Sequence, residues 1–227
     1  FKGFLAYSRN AGKRPGVLVV HEWWGHNDYV RDRARQLAEL GYTAFALDMY
    51  GEGKTADHPR QAQEMMMEVV NNAEAAAARF NTALTVLKNH PMTAADDIAA
   101  IGYCFGGAVV LSMARTGAAD LDGVVSFHGA LGGLPSPDPD NMNARILVFN
   151  GAADPFVTAE QVETFKQEMQ AAGADFEFID YPGAKHSFTN PEAGKFGEEF
   201  NLPLQYDADA DADSWKRMQA FFDEIFK

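Results

Sequence analysis

Ile98-Ala99-Ala100-Ile101-Gly102-Tyr103-Cys104-Phe105-Gly106-Gly107-Ala108-Val109-Val110-Leu111 decides how this chain folds. An uncharged apolar run of strand character leads into Gly102, and beyond Gly106-Gly107 a helical segment runs to Arg115 and is closed by Gly117. A nucleophile on a sharp strand-to-helix turn needs small residues two before and two after it. Its own backbone is strained there, and neighbouring chain passes close by. Gly102 and Gly106 stand at those two places around Cys104. The turn also sets the sulfur at a helix N-terminus, where the backbone dipole favours a thiolate and the free amide of Phe105 points to the same spot. The bland alternative is a buried, inert cysteine in a tight glycine turn. A membrane helix is the other rival, because Gly102-x-x-x-Gly106 has the spacing of helix dimers, but Ile98 to Ala114 is too short and too glycine-rich at its centre to span a bilayer.

Outward from this turn, short apolar runs alternate with longer segments of helical period. Strands are expected at Gly16 to Val20, Thr43 to Leu47, Asp97 to Tyr103, Val124 to Phe127, Arg145 to Phe149 and Phe176 to Asp180. Helices are expected at Tyr29 to Leu40, Arg60 to Asn89, Gly106 to Arg115, Ala159 to Ala172 and Ser214 to Phe226. The pattern predicts an α/β fold, a mostly parallel sheet with helices on both faces, in a single domain spanning residues 1–227. Of the consecutive Met65, Met66 and Met67, one or two are expected in the core. Two stretches carry no regular pattern, Leu131 to Asn143 and Ser187 to Tyr206, the latter with Phe188, Phe196 and Phe200. Irregular segments of this length are more often covers over a site than spacers.

Composition excludes several classes of function. A formal charge of -13, from 19 basic and 32 acidic residues, repels a polyphosphate, and no local basic patch offsets it, so no nucleic-acid partner is expected. The single cysteine rules out an intrachain disulfide and suits a reducing compartment, which points to the cytoplasm. The first residue is Phe1 and not methionine, which leaves room for a signal segment removed upstream. A monomer or small homo-oligomer is expected.

A thiol is only slightly ionised at neutral pH and needs a base to act as a nucleophile. On an elbow of this kind the partners follow the nucleophile in the order acid, then histidine. Asp154, in Gly151-Ala152-Ala153-Asp154-Pro155, comes just past the strand Arg145 to Phe149, and His186 comes just past the strand Phe176 to Asp180. Both fall at strand C-terminal ends, where open α/β sheets place their sites. Either alone reads as a turn aspartate or a solvent-facing histidine. The three together, in order after three strand ends, predict a Cys104, His186, Asp154 triad.

At these residues the chain resembles the dienelactone hydrolase family, over nearly its whole length. The matching pieces are Val19-Val20-His21-Glu22 with Gly25, Gly41-Tyr42 leading to Asp48-Met49-Tyr50-Gly51, the elbow Gly102 to Gly107, Gly151 with Asp154, and His186-Ser187-Phe188. The resemblance implies an α/β-hydrolase fold, Cys104 as nucleophile, His186 as base, Asp154 as its orienting partner, and Glu22 as a carboxylate that interacts with the thiol before substrate arrives. It also implies an oxyanion hole from the amides of Trp23 and Phe105. Family members that open dienelactone are similar in having an arginine four residues after the histidine, where this chain has Asn190. Substrate contacts are therefore expected from Trp24, Phe188, Asn190 and Arg60, and neutral compact esters are expected to be preferred to dienelactone.

Other motifs compete for these residues. His21-Glu22-Trp23-Trp24-Gly25-His26 resembles the zinc motif of the dipeptidyl peptidase III family, but that chemistry needs a helix, and Val17 to Val20 read as a buried strand, so no metal is expected. Gly53-Lys54-Thr55 looks like the end of a phosphate loop, yet the first glycine of that motif would fall on Asp48. Asp207, Asp209, Asp211 and Asp213 lack the glycine and distal glutamate of a calcium loop, and Asp213 reads instead as a helix cap. These residues together predict a hydrolase that opens a small ester or lactone through a thioester, with no cofactor. The alternatives are a catalytically silent fold that binds a small ligand or partner, and a thiol redox sensor that would need Cys104 alone.

Overall fold

Seven strands form one sheet in the order β1-β3-β2-β4-β5-β6-β7, with β1 antiparallel to β3 and every other pair parallel. In this computed structural model, which describes residues 2–9 and 12–226, the strands are β1 (Gly3–Ala6), β2 (Arg14–Val20), β3 (Thr43–Leu47), β4 (Thr93–Tyr103), β5 (Gly123–Phe127), β6 (Arg145–Gly151) and β7 (Phe176–Tyr181). The helices are α1 (Asp28–Glu39), α2 (Pro59–Val70), α3 (Ala73–Lys88), α4 (Phe105–Arg115), α5 (Ala159–Ala171), α6 (Ala193–Phe200) and α7 (Ala208–Ile225). Phe1, whose place at the start leaves room for a removed signal segment, lies outside the described residues. None of the described helices is long and apolar enough to cross a membrane.

The central strands are apolar on both faces because both faces are covered. Along β2, Leu18 and Val20 join a core built with Phe80 and Leu84 of α3, Val110 and Leu111 of α4, and Phe165 of α5. Val17 and Val19 point the other way, toward Val30 and Leu37 of α1 and Met218 and Phe222 of α7. Met65 and Met66 are partly buried against the first core, while Met67 stays exposed. The strand order reverses direction between β2 and β4, whose ends pair at Val20 and Gly102. Ligand sites in open α/β sheets lie beyond the strand C-termini at such a switch point. Glu22 and Cys104 each follow one of these two ends.

Several expected boundaries move. The segment Arg60 to Asn89 is two helices, because Asn72 accepts the amide of Ala75 and caps α3. Ser187 to Tyr206 is not wholly irregular: it contains α6, whose Phe196 and Phe200 pack on Trp24 in a third apolar cluster. The cap of the last helix is Asp207, which accepts the amides of Asp209 and Ala210, whereas Asp213 lies inside α7 and bonds Tyr181 and Arg217. Residues 131–143 stay without helix or strand and are pinned by buried Arg115, which donates to the carbonyl of Pro135. Asp48 accepts the amides of Tyr50, Gly51 and Gly53. Its carboxylate thus fills the turn in which a phosphate would have to sit.

Candidate active site

Cys104 adopts φ 54° and ψ -116°, between the last residue of β4 and the first of α4. A non-glycine residue in that region is strained, and the packing around it explains why it stays there. A side chain at Gly102 would come within 2.0 Å of the Gly106 carbonyl oxygen, and one at Gly106 within 2.4 Å of the Val20 oxygen. Both glycines are therefore steric requirements of the turn. The amide of Cys104 is shared between the carbonyl of Phe127 at 3.0 Å and Nδ1 of His128 at 3.1 Å. Among the described residues no acceptor pairs with the amides of Phe105 or Trp23, and the thiol is partly exposed.

The structure brings Asp154 and His186 together, with His186 Nδ1 at 2.7 Å from Asp154 Oδ2. Asp154 follows β6 in a turn where its other oxygen accepts the amide of Phe156 at 2.8 Å, so both carboxylate oxygens are held. The two loops are laced by the amide of Ala153, which donates to the Ala184 carbonyl. Gly151 permits this, because a Cβ there would lie 2.5 Å from that same oxygen. Burial alone would keep the His186 ring neutral. The electrostatic influence of Cys104 and the hydrogen bond to Asp154 outweigh it and hold the imidazole well above its ordinary range.

Glu22 is buried and faces the histidine loop. Its Oε1 accepts from Ser187 Oγ at 2.8 Å and its Oε2 from Asn190 Nδ2 at 2.6 Å. Burial pushes its carboxyl up, while these two hydrogen bonds and the charges of His186 and Arg33 pull it back. No hydrogen bond joins Glu22 to Cys104 among the described residues. The expected substrate contacts fare differently from Asp154 and His186. Asn190 is turned inward, its amide nitrogen on Glu22 and its oxygen on the amide of Glu192. Phe188 is fully buried against His128 and Tyr181, and Trp24 is stacked on Phe196 at 4.5 Å. Arg60 stands exposed in the first turn of α2, paired with Glu64. Sequence distance from the catalytic motifs could not tell these inward and outward orientations apart.

Sequence reasoning missed a buried polar chain behind the elbow. The Cys104 amide can only donate, so Nδ1 of His128 accepts and Nε2 carries the proton, which it donates to Thr189 Oγ1 at 2.7 Å. Thr189 Oγ1 lies 2.6 Å from the Tyr29 hydroxyl, and Arg33 donates to the Thr189 carbonyl and pairs with Asp211 at 2.6 Å. His128 follows β5 as His186 follows β7, and the register of strand ends was the one available signal for it. On the other side, Tyr50 donates to the carbonyl of Trp23 at 2.9 Å and stacks on Phe105, fixing both residues whose amides are free. His21 accepts the amide of Met49 on Nε2 and donates from Nδ1 to the Glu22 carbonyl. His26 bonds the Ala46 carbonyl. The two imidazoles of the zinc-like motif thus serve backbone groups, one at the end of β2 and one in the turn before α1, and do not share a helix.

The family model of the dienelactone hydrolase family matches residues 1–226. The chain belongs to the dienelactone hydrolase family, whose members are hydrolases acting on ester bonds. Protein usf of Aquifex pyrophilus is 29% identical, over 98% of this chain and 93% of that protein. A putative carboxymethylenebutenolidase of Escherichia coli is 30% identical, over 93% and 77%. Among solved structures, a dienelactone hydrolase-like promiscuous phosphotriesterase from metagenomic libraries superposes with a TM-score of 0.92 at 36% identity, over 98% of this chain and 92% of that one. This family likeness and the observed sheet agree on an α/β-hydrolase fold.

Proposed function

We propose that residues 1–227 act as one hydrolase domain in which Cys104 cleaves small carboxylic esters or lactones through a thioester. The observation that carries this is a partly exposed cysteine on a strained elbow, beside an imidazole that is itself bonded to a buried carboxylate. His186 takes the thiol proton, and the sulfur attacks the ester carbon. The oxyanion that forms sits against the amides of Trp23 and Phe105, which have no other acceptor among the described residues. The C–O bond breaks as His186 returns the proton to the leaving alkoxide. Water then attacks the thioester, giving its proton to His186, and the C–S bond breaks to release acid and thiolate. Asp154 holds the ring in the tautomer that presents Nε2 to the reaction.

Glu22 acts through the histidine loop in this reading, since its hydrogen bonds run to Ser187 and Asn190. Neutral, compact substrates are favoured over dienelactone. The Asn190 amide is already engaged, Arg60 is exposed and paired, and Arg33 is offset by Asp211, so none of these three groups offers an unpaired charge to a substrate carboxylate. The lone thiol suits a reducing compartment such as the cytoplasm. A second substrate class, phosphotriesters, is supported by the 36% identical solved phosphotriesterase and merits a place in the same assay.

The test is a panel of neutral esters, lactones, dienelactone and a phosphotriester, assayed before and after iodoacetamide, with an acid quench to trap the acyl group. One equivalent of reagent should abolish hydrolysis while the far-UV spectrum persists, and the trapped acyl group should lie on the Cys104 peptide. Full activity with Cys104 quantitatively alkylated would overturn the mechanism, and a clear preference for dienelactone over matched neutral esters would overturn the substrate class.

A further inference from the structure

Of the large apolar side chains that stay exposed among the described residues, Leu40, Met67, Val70 and Val86 lie on or at the ends of α1, α2 and α3. Phe156 is different. It is 48% exposed, yet its ring packs on His186 with centroids 5.1 Å apart and planes at 86°. Its backbone amide holds Asp154, so the turn that orients the carboxylate also sets an aromatic ring over the imidazole it orients. Orienting Asp154 requires only the backbone of Phe156. A half-exposed phenyl ring is therefore unexplained by the fold and by the triad.

The reaction assigns it a neighbour. In the tetrahedral intermediate the oxyanion faces the amides of Trp23 and Phe105, while the leaving oxygen must reach the His186 nitrogen that faces the sulfur. The alcohol must depart along the imidazole toward solvent, and of the two rings packed on His186, His128 is fully buried while Phe156 is half-exposed, so the open side is the one that Phe156 borders. We infer that Phe156 is a specificity-determining residue that forms the leaving-group subsite and, among compact neutral esters, selects those of aromatic alcohols over those of small aliphatic ones. This rests on the ester-hydrolase reading above and adds the alcohol side of the substrate to it. Aromatic pairing and burial of the exposed ring face supply the preference. The contact between ring and alcohol acts on acylation only, because the alcohol has left before water attacks.

Benzyl acetate and methyl acetate test the subsite, since their alcohols are of closely matched acidity and both give the same acetyl-enzyme. Phe156→Ala should lower the ratio of kcat/KM for benzyl over methyl acetate about tenfold, a difference typical of one lost aromatic contact. Phe156→Leu should fall between, and Phe156→Trp should restore the ratio. Hydrolysis of the common acetyl-enzyme, read from the steady rate after a burst, should not distinguish the two esters in any variant. An unchanged ratio in Phe156→Ala, or an equal loss for both esters, would overturn the subsite and leave cysteine-dependent hydrolysis standing. Hydrolysis of both acetates by the unmodified protein that iodoacetamide does not touch would instead overturn the underlying reading, and the subsite with it.

Discussion

His186 and His128 lie with ring centroids 5.4 Å apart at the ends of β7 and β5, both buried, and their surroundings drive them to opposite protonation states. Around His186 stand a carboxylate on one nitrogen and the Cys104 thiol near the ring, which hold its basicity up against burial. Around His128 stand a backbone amide on one nitrogen and a hydroxyl on the other. Burial, reinforced by the charges of His186 and Arg33, pushes it well below its ordinary range. The difference separates two uses of the same side chain. A histidine paired with a carboxylate can gain and lose a proton during a reaction, whereas one that accepts an N–H and donates to a hydroxyl is fixed in a single tautomer and serves as a strut.

The largest effect should come from converting the first kind into the second. Asp154→Asn places an amide against His186 Nδ1 and favours the wrong tautomer, so kcat for ester hydrolysis should fall by about 10⁴-fold. Stability should change little by comparison, since Asn keeps the shape and can still accept the Phe156 amide. A variant within tenfold of the parent in a steady-state assay would show that His186 does not depend on Asp154.

The two regions also differ in how far the sequence revealed them. The elbow was legible because its demands are local: Gly102 and Gly106 are forced by contacts within a few residues of Cys104 or with the adjacent strand end. Asp154 and His186 were legible from their order after strands. His128 was not, because its role is set by Thr189 and Tyr29, 61 and 160 residues apart in two successive hydrogen bonds. The inward turn of Asn190 and the burial of Phe188 and Trp24 depend on how the histidine loop folds over Glu22 and α6 packs on Trp24. No local pattern encodes those contacts. Strand β1 was missed for a related reason, being short, partly exposed and held by β3 at the sheet edge.

His21 belongs with His128, and it gives the comparison a stability readout. Burial lowers its pKa to about 4, against the carbonyl of Glu22 and other groups that raise it. For a ring depressed on folding, the stabilisation is complete above the unfolded value near 6.5 and is lost as pH falls toward the folded one. The shift corresponds to about 3 kcal/mol, and His26 and His128 act in the same direction. His186 acts oppositely, adding stability below 6.5 that is lost as pH rises through its raised value. Urea midpoints should therefore drop between pH 6.5 and 4, and His21→Gln should show a shallower drop. An identical pH slope in the variant would mean that His21 is not held neutral by the fold.

Removing the strut itself should cost less than removing the Asp154 carboxylate. His128→Leu leaves the Cys104 amide with the Phe127 carbonyl as its remaining acceptor and leaves Thr189 without the His128 donor. With one net hydrogen bond worth about 1 kcal/mol, kcat should fall about fivefold, and the pH profile of Cys104 alkylation should keep its shape because His128 carries no charge to lose. A shifted profile would place His128 among the titrating groups of the site and erase the distinction between the two histidines.

The smallest effect, and the one that sharpens the comparison most, concerns Glu22, the buried carboxylate that serves neither imidazole directly. It joins the end of β2 to the histidine loop through Ser187 and Asn190, and Ser187 holds a left-handed φ of 57° beside His186. Glu22→Gln keeps the shape but offers one acceptor where two are used. The Asn190 amide cannot turn round freely to compensate, because its oxygen already accepts from Glu192. The substitution also removes a negative charge that His186 feels, since the attraction that lowers one partner raises the other. Thioester formation should slow several-fold, on the order of one weakened hydrogen bond, and the alkylation profile of Cys104 should shift as His186 becomes less basic. Rapid-quench acylation and iodoacetamide rates measured from pH 5 to 9 would read both. If neither the acylation rate nor the profile moves, Glu22 is a buried tether without influence on the chemistry, and Cys104, His186 and Asp154 are the whole catalytic set.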